Sequence, residues 1–486
     1  MVTVAILGGG ISGLSAAYYL GKLARSKTIS KVILLEASSR LGGCIDTVRL
    51  DDGTIFERGP RSIRGQGAQG YNTLQLAEEL GLSDHVLPID RSHQATKNRF
   101  IYVNRELCRL PSGPGSLLMR QPPFSKSLVR LGWREPFVAS HKVEDETIDS
   151  FFRRRFGDEI AKYAIDPLCR GIYSGSSQQL SMKACFPNLL EWEQQYHSVI
   201  KGALLAPKKK APDAQGSRLV ERYKSEHWSM WSLDTGLQKL PETLAMKLSQ
   251  SDQVDICLDT PCTGLEFSDT TGKVKVKMSD KHEEVDYVFS ALPARQFAVL
   301  LPSGHHQLAA LLRHNPSVSV GVVNLQYEGN VLSTQGFGHL VPSCEPSNVL
   351  GVLYESCIFP VHNRPKGNNT RITCMMGGAW FKEMFGEADD VNTQEFGEIA
   401  AESIREQLHI TKKPFRVIAG VVKNCIPQYQ VGHTQSVQDM ATYITQQSLP
   451  LSLIGASYDG VSINDCIHNT RLEVEKVLPS IEAMAH

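Results

Sequence analysis

The sequence has no excess of charge of either sign. Its 486 residues carry 51 Lys and Arg against 51 Asp and Glu, so the formal net charge is zero. Without a basic surplus the chain has no bulk electrostatic attraction for nucleic acid or for anionic lipid, and any contact with anions must be local. Charged residues (21%) and hydrophobic residues (41%) occur at ordinary globular frequencies, which excludes wholesale disorder.

The sequence also lacks a long uninterrupted apolar run, a C-x-x-C pair and a tight His/Cys cluster. Without a run of about 18 apolar residues, we expect no membrane-spanning helix. The 11 cysteines are scattered from Cys44 to Cys466, which predicts free thiols in a reducing compartment, no disulfide framework and no metal site. Because the first residues run directly into an apolar strand, we also expect no cleaved targeting segment.

The chain opens with a strand, a helix and a second strand, which are predicted over residues 2–7, 12–24 and 31–36. Such a βαβ unit is typical of nucleotide-binding α/β folds. Residues 8–13, Gly-Gly-Gly-Ile-Ser-Gly, fit G-x-G-x-x-G and lie directly between the first strand and the helix. That context gives the motif its meaning, so the opening predicts a dinucleotide-binding site.

Each glycine of this motif has a physical role. Gly8 permits the tight turn, Gly10 lets a diphosphate approach the backbone, and Gly13 allows close packing of helix on strand. The phosphates then lie at the helix N-terminus, where free N–H groups and the dipole favour negative charge. Glu36 ends the second strand, where a carboxylate can accept hydrogen bonds from an adenosine ribose.

A second match to the motif, at residues 65–70, does not follow a strand, and we interpret it as a flexible loop. A single nucleotide site favours FAD as a permanently held group over a separate nicotinamide site. The composition of the sequence changes between about residues 91 and 212. Pro/Gly-rich segments alternate there with helical ones, which indicates an inserted domain.

Two parts of this insertion have open alternatives. Residues 112–137 combine apolar and aromatic side chains with four basic ones, so they suit a bilayer interface, but a helical domain that packs on itself explains the pattern equally well. The lysine run at 208–210 is interpreted as a solvated linker, with a lipid-facing patch as the alternative. Strand-like segments recur beyond it, which predicts an α+β region with a large antiparallel sheet.

The sequence therefore predicts a fold of α/β and α+β type with three domains. Residues 1–92, 212–297 and 415–486 form a discontinuous, Rossmann-like FAD-binding domain. Residues 93–211 form an α-helical, membrane-associated domain. Residues 298–414 form a substrate-binding domain built on an antiparallel sheet.

Two further motifs indicate a flavoprotein. Residues 40–43, Arg-Leu-Gly-Gly, resemble the second dinucleotide signature of the amine-oxidase-like flavoproteins, in which the arginine neighbours the pyrophosphate. Residues 455–460, Gly-Ala-Ser-Tyr-Asp-Gly, precede a helix whose N-terminus suits the electron-rich end of a reduced flavin. Both ends of the chain thus contribute to one cofactor domain.

Over its whole length the chain resembles the protoporphyrinogen oxidases of the animal mitochondrial type. The resemblance is carried by residues 4–14, 56–61, 98–103, 168–173, 335–342, 423–429 and 455–460. It implies FAD-dependent six-electron oxidation of protoporphyrinogen IX to protoporphyrin IX, the penultimate step of haem synthesis, with molecular oxygen as acceptor and hydrogen peroxide as by-product. It further implies a homodimer attached monotopically to the mitochondrial inner membrane, on its intermembrane-space face.

The resemblance also carries over site residues. It assigns Arg99 to a substrate propionate, for which a planar guanidinium is well suited. The residues carried over as lining of the tetrapyrrole pocket are Gly171, Phe337, Leu340, Met375 and Ile426. The residues carried over to the FAD site are Gly8, Gly9, Gly10, Ile11, Ser12, Gly13, Leu14, Glu36, Ala37, Arg40, Gly43, Cys44, Gly59, Pro60, Arg61, Ser62, Cys262, Ala456, Val461, Ser462 and Ile463. Cys44 departs from the tryptophan that animal relatives have near the flavin.

The sequence identifies no general base. A tetrapyrrole N–H or solvent could take the protons while a meso carbon delivers hydride to flavin N5. Arg61 and His339 are the polar candidates nearest to the active-site motifs, and His339 is interpreted as a structural hydrogen-bonding histidine.

Two alternative functions remain at this point. One is an amine or polyamine oxidase of the same fold, but covalent-flavin amine oxidases carry a cysteine near the closing motif, where this chain has Ser457 and Tyr458. The other is a non-enzymatic binding protein like the Rab escort and GDP-dissociation inhibitor group, whose phosphate loops are degraded. The intact glycines at residues 8–13 disfavour that alternative.

Overall fold

A computed structural model of the chain describes residues 1–24, 28–207, 216–363 and 368–484, and the predicted linker at 208–210 lies outside them. The strands are β1 (Val2–Leu7), β2 (Ile29–Leu35), β3 (Thr47–Arg49), β4 (Ile55–Glu57), β5 (Val86–Asp90), β6 (Arg99–Val103), β7 (Glu106–Arg109), β8 (Trp228–Leu233), β9 (Val254–Cys257), β10 (Gly264–Phe267), β11 (Val274–Lys277), β12 (His282–Val285), β13 (Tyr287–Ser290), β14 (Ser317–Glu328), β15 (Gly338–Leu340), β16 (Val349–Leu353), β17 (Asn369–Gly378), β18 (Arg416–Pro427) and β19 (Leu451–Leu453). The α-helices are α1 (Ile11–Leu23), α2 (Gly67–Glu79), α3 (Gln94–Lys97), α4 (Pro114–Leu118), α5 (Leu128–Gly132), α6 (Ile148–Phe156), α7 (Asp158–Ile160), α8 (Asp166–Tyr173), α9 (Met182–Cys185), α10 (Pro187–Tyr196), α11 (Val199–Leu205), α12 (Arg218–Ser225), α13 (Lys239–Leu248), α14 (Ala294–Ala298), α15 (His306–Arg313), α16 (Glu355–Ile358), α17 (Phe381–Phe385), α18 (Thr393–Leu408), α19 (His433–Gln446) and α20 (Ile463–Ala483).

The first sheet is parallel, with the strand order β19-β13-β1-β2-β9. Alternate residues of the central strand β1 face opposite sides, because side chains alternate along a strand. Val4 and Ile6 pack with α1, α13 and α20, whereas Ala5 and Leu7 pack with α14, α15 and α19. Helices thus cover both faces, which explains the near-continuous apolar strands. This is the Rossmann-like layer that the sequence predicts.

The second large sheet has the strand order β18-β14-β17-β16-β15-β6-β7 and is antiparallel except where β15 pairs with β6. On one face, side chains of β17 such as Cys374 and Met376 pack against Phe396 and Ala400 of α18. The other face is turned towards the parallel sheet and carries the candidate pocket described below.

The composition of this sheet differs from the predicted domain boundaries. Strands β6 and β7 come from the segment assigned to the helical domain, and β18 comes from the segment assigned to the FAD-binding domain. The substrate-side sheet therefore extends beyond residues 298–414 in both directions. Pairing between strands that are hundreds of residues apart leaves no mark in a local sequence pattern, so the boundaries at 93 and 415 could not follow it.

The helical part runs from α4 to α11. Its core contains Phe151, Phe152 and Tyr173, and buried ion pairs join Arg155 to Glu135 and Glu193. The basic and aromatic stretch at 112–137 forms two short α-helices and a 3-10 turn rather than one continuous helix. In the described part of the chain, no helix is both long and apolar enough to cross a bilayer.

Most predicted elements are confirmed to within a few residues, but the flexible loop predicted at 65–70 is wrong in its second half. Helix α2 begins at Gly67. A Cβ on Gly70 would lie 2.4 Å from the carbonyl carbon of Gly65, and a Cβ on Gly65 would lie 2.5 Å from the ring of Tyr223. These glycines permit close packing at the start of a helix rather than flexibility.

Candidate functional site

The turn between β1 and α1 is built by glycines for two different reasons. Gly8 has a φ of +100°, which side-chain-bearing residues rarely adopt. A Cβ on Gly13 would lie 1.9 Å from the carbonyl oxygen of Gly8, so only glycine lets the helix start this close to the turn. Both residues are needed by the fold itself.

Gly10 is different, because neither its backbone nor its protein neighbours require a glycine. Its φ of −70° and ψ of 179° are open to any residue. A Cβ there would have only Gly43 Cα within 4 Å, at 3.8 Å. Helix α1 begins at this point with no side-chain cap and no acidic residue in its first turn. The open space in front of uncapped N–H groups fits a diphosphate, and Ile11, Ser12 and Leu14 belong to the same helix start.

Glu36 lies at the end of β2, beside this turn. Its Oε2 accepts a hydrogen bond of 2.7 Å from Gly9 N, and its Oε1 accepts from the backbone N and the Oγ of Ser38. The carboxylate is half-buried, and Ala37 next to it is exposed. The Glu36 carbonyl accepts from Thr260 N at 2.9 Å, which brings the segment of half-buried Cys262 to this end of the site.

Arg40 has a role that the sequence did not predict. Its guanidinium donates to the carbonyl oxygens of Leu41, Ile45 and Gly43, at 2.7 to 3.1 Å. These bonds shape the loop that carries Gly42, whose N–H donates to Gly9 O at 2.9 Å. Arg40 thus holds the second glycine loop against the first, so any contact of its own with a phosphate would use its remaining donors.

Residues 59–62 form the next wall of the site. A Cβ on Gly59 would lie 1.9 Å from the carbonyl oxygen of Cys44, so only glycine allows the two segments to lie this close together. Cys44 and Gly43 are exposed, whereas Pro60 and Ser62 are half-buried. The Arg61 side chain turns inward instead and is only 7% exposed.

The closing segment of the chain returns to the first helix. Gly455 has a φ of +102°, and a Cβ on it would lie 3.4 Å from Ser12 Oγ. The carbonyl of Ala456 accepts a 2.5 Å hydrogen bond from Tyr429 Oη. Ser462 caps α20 and exchanges bonds with Asp465. Val461 and Ile463 are half-buried beside this cap, and the contact of Gly455 with Ser12 brings the two ends of the chain together.

The pocket residues lie on the face of the seven-stranded sheet that is turned towards this loop system. Arg99 pairs with Gly338, Leu340 pairs with Gly351, and Gly351 pairs with Met375, so these positions share one face. Helix α8 lies over it, since a Cβ on Gly171 would be 2.9 Å from Leu340 Cδ2.

Two further predicted pocket residues lie at the margins of this face. The ring of Phe337 lies 6.0 Å from the Arg99 guanidinium. Ile426, on strand β18, is half-buried, and its carbonyl accepts from Gln428, which also donates to Tyr173 O at the end of α8. The structure thus brings Arg99, Gly171, Leu340, Met375 and Phe337 together, with Ile426 near the far end of α8.

Arg99 is the cation of this pocket. Although Arg99 is exposed at the start of β6, partial desolvation and the neighbouring charge of Arg64 lower the pKa of its guanidinium. In the residues that the structure describes, neither arginine forms an ion pair with a carboxylate. Sequence reasoning missed Arg64, although its place three residues after Arg61 in the same motif was available as a signal.

His339, the other polar candidate, lies on the opposite face of the sheet from Leu340. It is 2% exposed, with Nδ1 at 2.9 Å from Tyr354 Oη and Nε2 at 2.8 Å from Gln407 Oε1. Burial lowers its pKa to about 4. Both ring nitrogens are occupied by structural partners, which fits the predicted structural role.

A buried charge cluster, which the sequence did not predict, joins strand β4 and the loop that follows it to α16 and to strand β17 of the seven-stranded sheet. We define it as Glu57, Arg61, Glu355 and Arg371. Arg61 Nη1 lies 2.5 Å from Glu355 Oε1, and Arg61 Nη2 lies 3.7 Å from Met375 Sδ. Burial raises the pKa of Glu57 to about 7. The only local signal was that acidic Glu355 follows an apolar strand directly.

The chain matches a known protein family and is similar to curated proteins over almost its whole length. The family described as flavin containing amine oxidoreductase matches residues 11–478. Protoporphyrinogen oxidase of Homo sapiens is 44% identical over 478 residues, which are 98% of this chain and 98% of the relative. The Bos taurus protein of the same name is 43% identical over 476 residues, again 98% of each.

Solved structures agree on the fold. The putative protoporphyrinogen oxidase from Exiguobacterium sp. 255-15 superposes with a TM-score of 0.79 at 24% identity, covering 99% of each chain. The glycine turn and the two large sheets agree with the sequence identity to the mammalian relatives, and both lead to the same family. The chain belongs to the flavin containing amine oxidoreductases and, within them, to the protoporphyrinogen oxidases.

Proposed function

We propose that this chain oxidises protoporphyrinogen IX to protoporphyrin IX with a non-covalently held FAD, and that molecular oxygen takes the electrons and leaves as hydrogen peroxide. One junction carries the proposal. Arg61 extends from the loop beside the nucleotide turn and contacts Met375 on the apolar sheet face. A nucleotide cradle and an apolar pocket therefore meet at a single point, as a substrate that reacts directly with the cofactor requires.

The cofactor side of the proposal is supported by the space at Gly10. That space is bounded by Gly43 and by the start of α1. Neither the backbone conformation of Gly10 nor a contact with the protein requires a glycine there, so the open space fits a ligand. Glu36, held by Gly9 and Ser38, is oriented for a ribose. When bound, the flavin would supply the hydride acceptor and the reaction with oxygen.

The substrate side is supported by charge and by surface chemistry. Protoporphyrinogen IX is an apolar macrocycle with two propionates. Leu340 and Met375 are apolar residues on one sheet face and Phe337 lies beside Arg99, while Arg99 and Arg64 offer two cations with no ion-pair partner among the described residues. A charge-assisted bond from such a guanidinium to a carboxylate contributes about 1.5 to 3 kcal/mol. Arg99 would hold one propionate and thereby orient the ring.

Among the described residues, the pocket offers no side chain to accept the protons that the substrate releases. His339 is bonded on both nitrogens and lies behind the sheet, and Glu355 is paired with Arg61. We infer that the protons pass from a tetrapyrrole N–H to solvent. The catalytic contribution of the chain then comes from binding and orientation.

Membrane attachment is part of the proposal. Phe137 (81% exposed), Leu204 (80%) and Leu118 (69%) form an exposed apolar surface with Trp133 on the helical part. The exposed basic side chains of the segment 112–137, here called the basic rim, are Arg120, Lys126, Arg130 and Arg134, and Arg134 lies over the ring of Trp133. Apolar side chains rimmed by basic ones suit the interface of an anionic bilayer better than they suit water. A mitochondrial inner-membrane location and a homodimer extend the proposal from the resemblance alone.

The test is an aerobic assay of the purified, flavin-containing protein with freshly reduced protoporphyrinogen. Porphyrin fluorescence and peroxide are followed together, with tyramine and spermine as alternative substrates and flavin-free protein as the blank. We expect three peroxides for each porphyrin, because six electrons are removed in pairs. Oxidation of either amine with no enzyme-dependent porphyrin formation would refute the proposal.

A further inference from the structure

We propose that Glu355 is a positioning residue, which fixes the guanidinium of Arg61 between the nucleotide loops and the tetrapyrrole pocket. The inference rests on the proposed function, since it assigns a role to the junction at which cofactor and substrate would meet. Nothing in the sequence motifs pointed to Glu355, which lies 294 positions after Arg61.

The contacts of Arg61 leave it little freedom. Nη1 donates to Glu355 Oε1 at 2.5 Å, and Nη2 donates to Gly59 O at 3.1 Å and approaches Met375 Sδ at 3.7 Å. Arg61 is 7% exposed and Glu355 is 3% exposed. The same guanidinium thus touches the loop behind the cofactor site and a residue of the pocket face, and Glu355 is its one anionic partner among the described residues.

Glu355 is itself held in place. It begins α16 immediately after strand β16, and Thr373 Oγ1 lies 3.1 Å from its Oε1. Although burial raises the pKa of Glu355, the charges of Arg61 and Arg371 outweigh that effect and keep it below its usual value. The carboxylate therefore stays ionised and continues to hold Arg61 at neutral pH.

Arg371 does not compete for this carboxylate. Its guanidinium donates to Ile55 O at 2.7 Å and to Phe359 O at 3.0 Å, and it also bonds Asn363. Glu57, the other acid of the buried charge cluster, accepts from Thr47 Oγ1 and from Leu237 N. The cluster has thus one specific pair, Arg61 with Glu355, and its remaining members are engaged elsewhere.

Loss of the Glu355 charge should have two effects at the junction. Arg61 would lose the bond that fixes its orientation, and misplacement of a group near the reacting atoms costs rate. A negative charge would also be lost beside the loop that carries Gly59, and since a carboxylate close to a bound flavin would disfavour the addition of electrons, its removal should favour the reduced flavin. A structural ion pair remote from the cofactor site would produce neither effect.

The experiment compares the flavin midpoint potential and the separate kcat and KM values of Glu355→Gln with those of the wild type. The matched control is Glu193→Gln. Glu193 is also fully buried and pairs with two arginines, at 2.7 Å and 3.3 Å, but it lies in the helical part. Thermal unfolding of all variants is recorded alongside.

For Glu355→Gln we expect a more positive potential and a fall in kcat on the order of 10- to 100-fold, with a much smaller change in KM. Glu193→Gln should lose thermal stability while its potential and kcat stay at wild-type values. Should Glu355→Gln show an unchanged potential and unchanged kcat, the positioning role is refuted.

A second variant, Glu355→Asp, keeps the proposal testable if the glutamine variant does not fold. It retains the charge but shortens the reach to Arg61, so we expect a reduced kcat with a nearly unchanged potential. A wild-type kcat in Glu355→Asp would overturn the positioning role. Wild-type protein that fails to oxidise protoporphyrinogen would refute the proposed function instead, whereas the potentials would still report on Glu355.

Discussion

The amide nitrogen of Gly9 donates a 2.7 Å hydrogen bond to Oε2 of Glu36, so the first glycine turn and the acidic end of β2 hold each other in place. The other carboxylate oxygen is engaged by Ser38. The bonds of Glu36 to the chain itself therefore hold the conformation of the glycine turn. The geometry that we assign to the nucleotide site is fixed by these protein contacts.

Glu36→Ala should weaken FAD binding by about 10- to 100-fold, because one charge-assisted bond to the ribose contributes about 1.5 to 3 kcal/mol. Titration of the apoprotein with FAD, followed by flavin fluorescence, measures the loss. The exposed neighbour substitution Ser39→Ala is the control and should bind as the wild type does. Equal affinity in Glu36→Ala would contradict the ribose assignment.

Gly10→Val should keep the fold and lose the flavin. The protein has room for a side chain at this position, so the free energy of unfolding of the apoprotein should hardly change, while a diphosphate would be displaced. Gly13→Ala should behave in the opposite sense, because its Cβ would clash with Gly8 O and destabilise the fold by about 1 to 3 kcal/mol. Urea unfolding and flavin content of both variants separate the two glycines, and full FAD occupancy in Gly10→Val would remove the nucleotide assignment.

Arg99→Ala should raise KM for protoporphyrinogen about 10- to 100-fold and leave FAD content unchanged, because it removes a propionate contact. Arg64→Ala should raise KM in the same direction, since the two guanidinium groups are close enough to influence each other. The dimethyl ester of the substrate is the control, because it carries no carboxylate. Wild type and Arg99→Ala should use the ester equally well, and a KM for the free acid that does not respond to Arg99→Ala would exclude the role.

Glu57 should contribute stability at pH 4.5 that is lost by about pH 7, opposite in sign to the contribution of buried His339, whose pKa is lowered to about 4. The pKa of Glu57 is raised by burial from the ordinary 4.5 to about 7, so the folded state binds more protons than the unfolded state in this interval. The stabilisation is full below the unfolded pKa and is lost as the pH passes through the folded pKa, on the order of 3 kcal/mol in total. Urea unfolding at several pH values isolates this contribution as the difference in free energy of unfolding between Glu57→Gln and the wild type. The stability of Glu57→Gln relative to the wild type should increase with pH over this interval, whereas the exposed substitution Glu398→Gln should show a constant difference. A pH-independent difference for Glu57→Gln would contradict the assignment.

Phe137→Ser should weaken binding to anionic phospholipid vesicles without loss of stability, because the ring is exposed and packs little. Val299→Ser is the matched control, since Val299 is also exposed (70%) but lies away from the basic rim. Vesicle co-sedimentation compares the two variants. Equal retention of Phe137→Ser and wild type on vesicles would argue against this surface as the membrane contact.

Secondary-structure elements that are marked by a local sequence pattern could be predicted from the sequence. Strand β1, helix α1 and strand β2 followed from an apolar run, a glycine turn and a helical pattern. Strand β18 was missed, because it lies at the edge of its sheet and is only half-buried, so its residues show no clean alternation. The helix start at Gly67 was missed because its glycines serve packing and not a turn.

The site divides in the same way. The glycine turn could be predicted because its residues are adjacent in the sequence, and the pocket lining was supplied by resemblance. The pair of Arg61 and Glu355 could not be predicted, since a contact over 294 positions is decided by how distant segments pack and not by any local pattern. Arg40 shows the same limit, because only the folded loop reveals that its donors bind backbone carbonyls.

The most direct measurement of the central claim is anaerobic mixing of the flavin-loaded protein with protoporphyrinogen while the flavin absorbance is recorded. We expect rapid bleaching of the oxidised flavin with formation of porphyrin intermediates, and recovery of the colour when oxygen is admitted. A flavin that stays oxidised in the presence of protoporphyrinogen, or a protein that retains no flavin at all, would contradict the account.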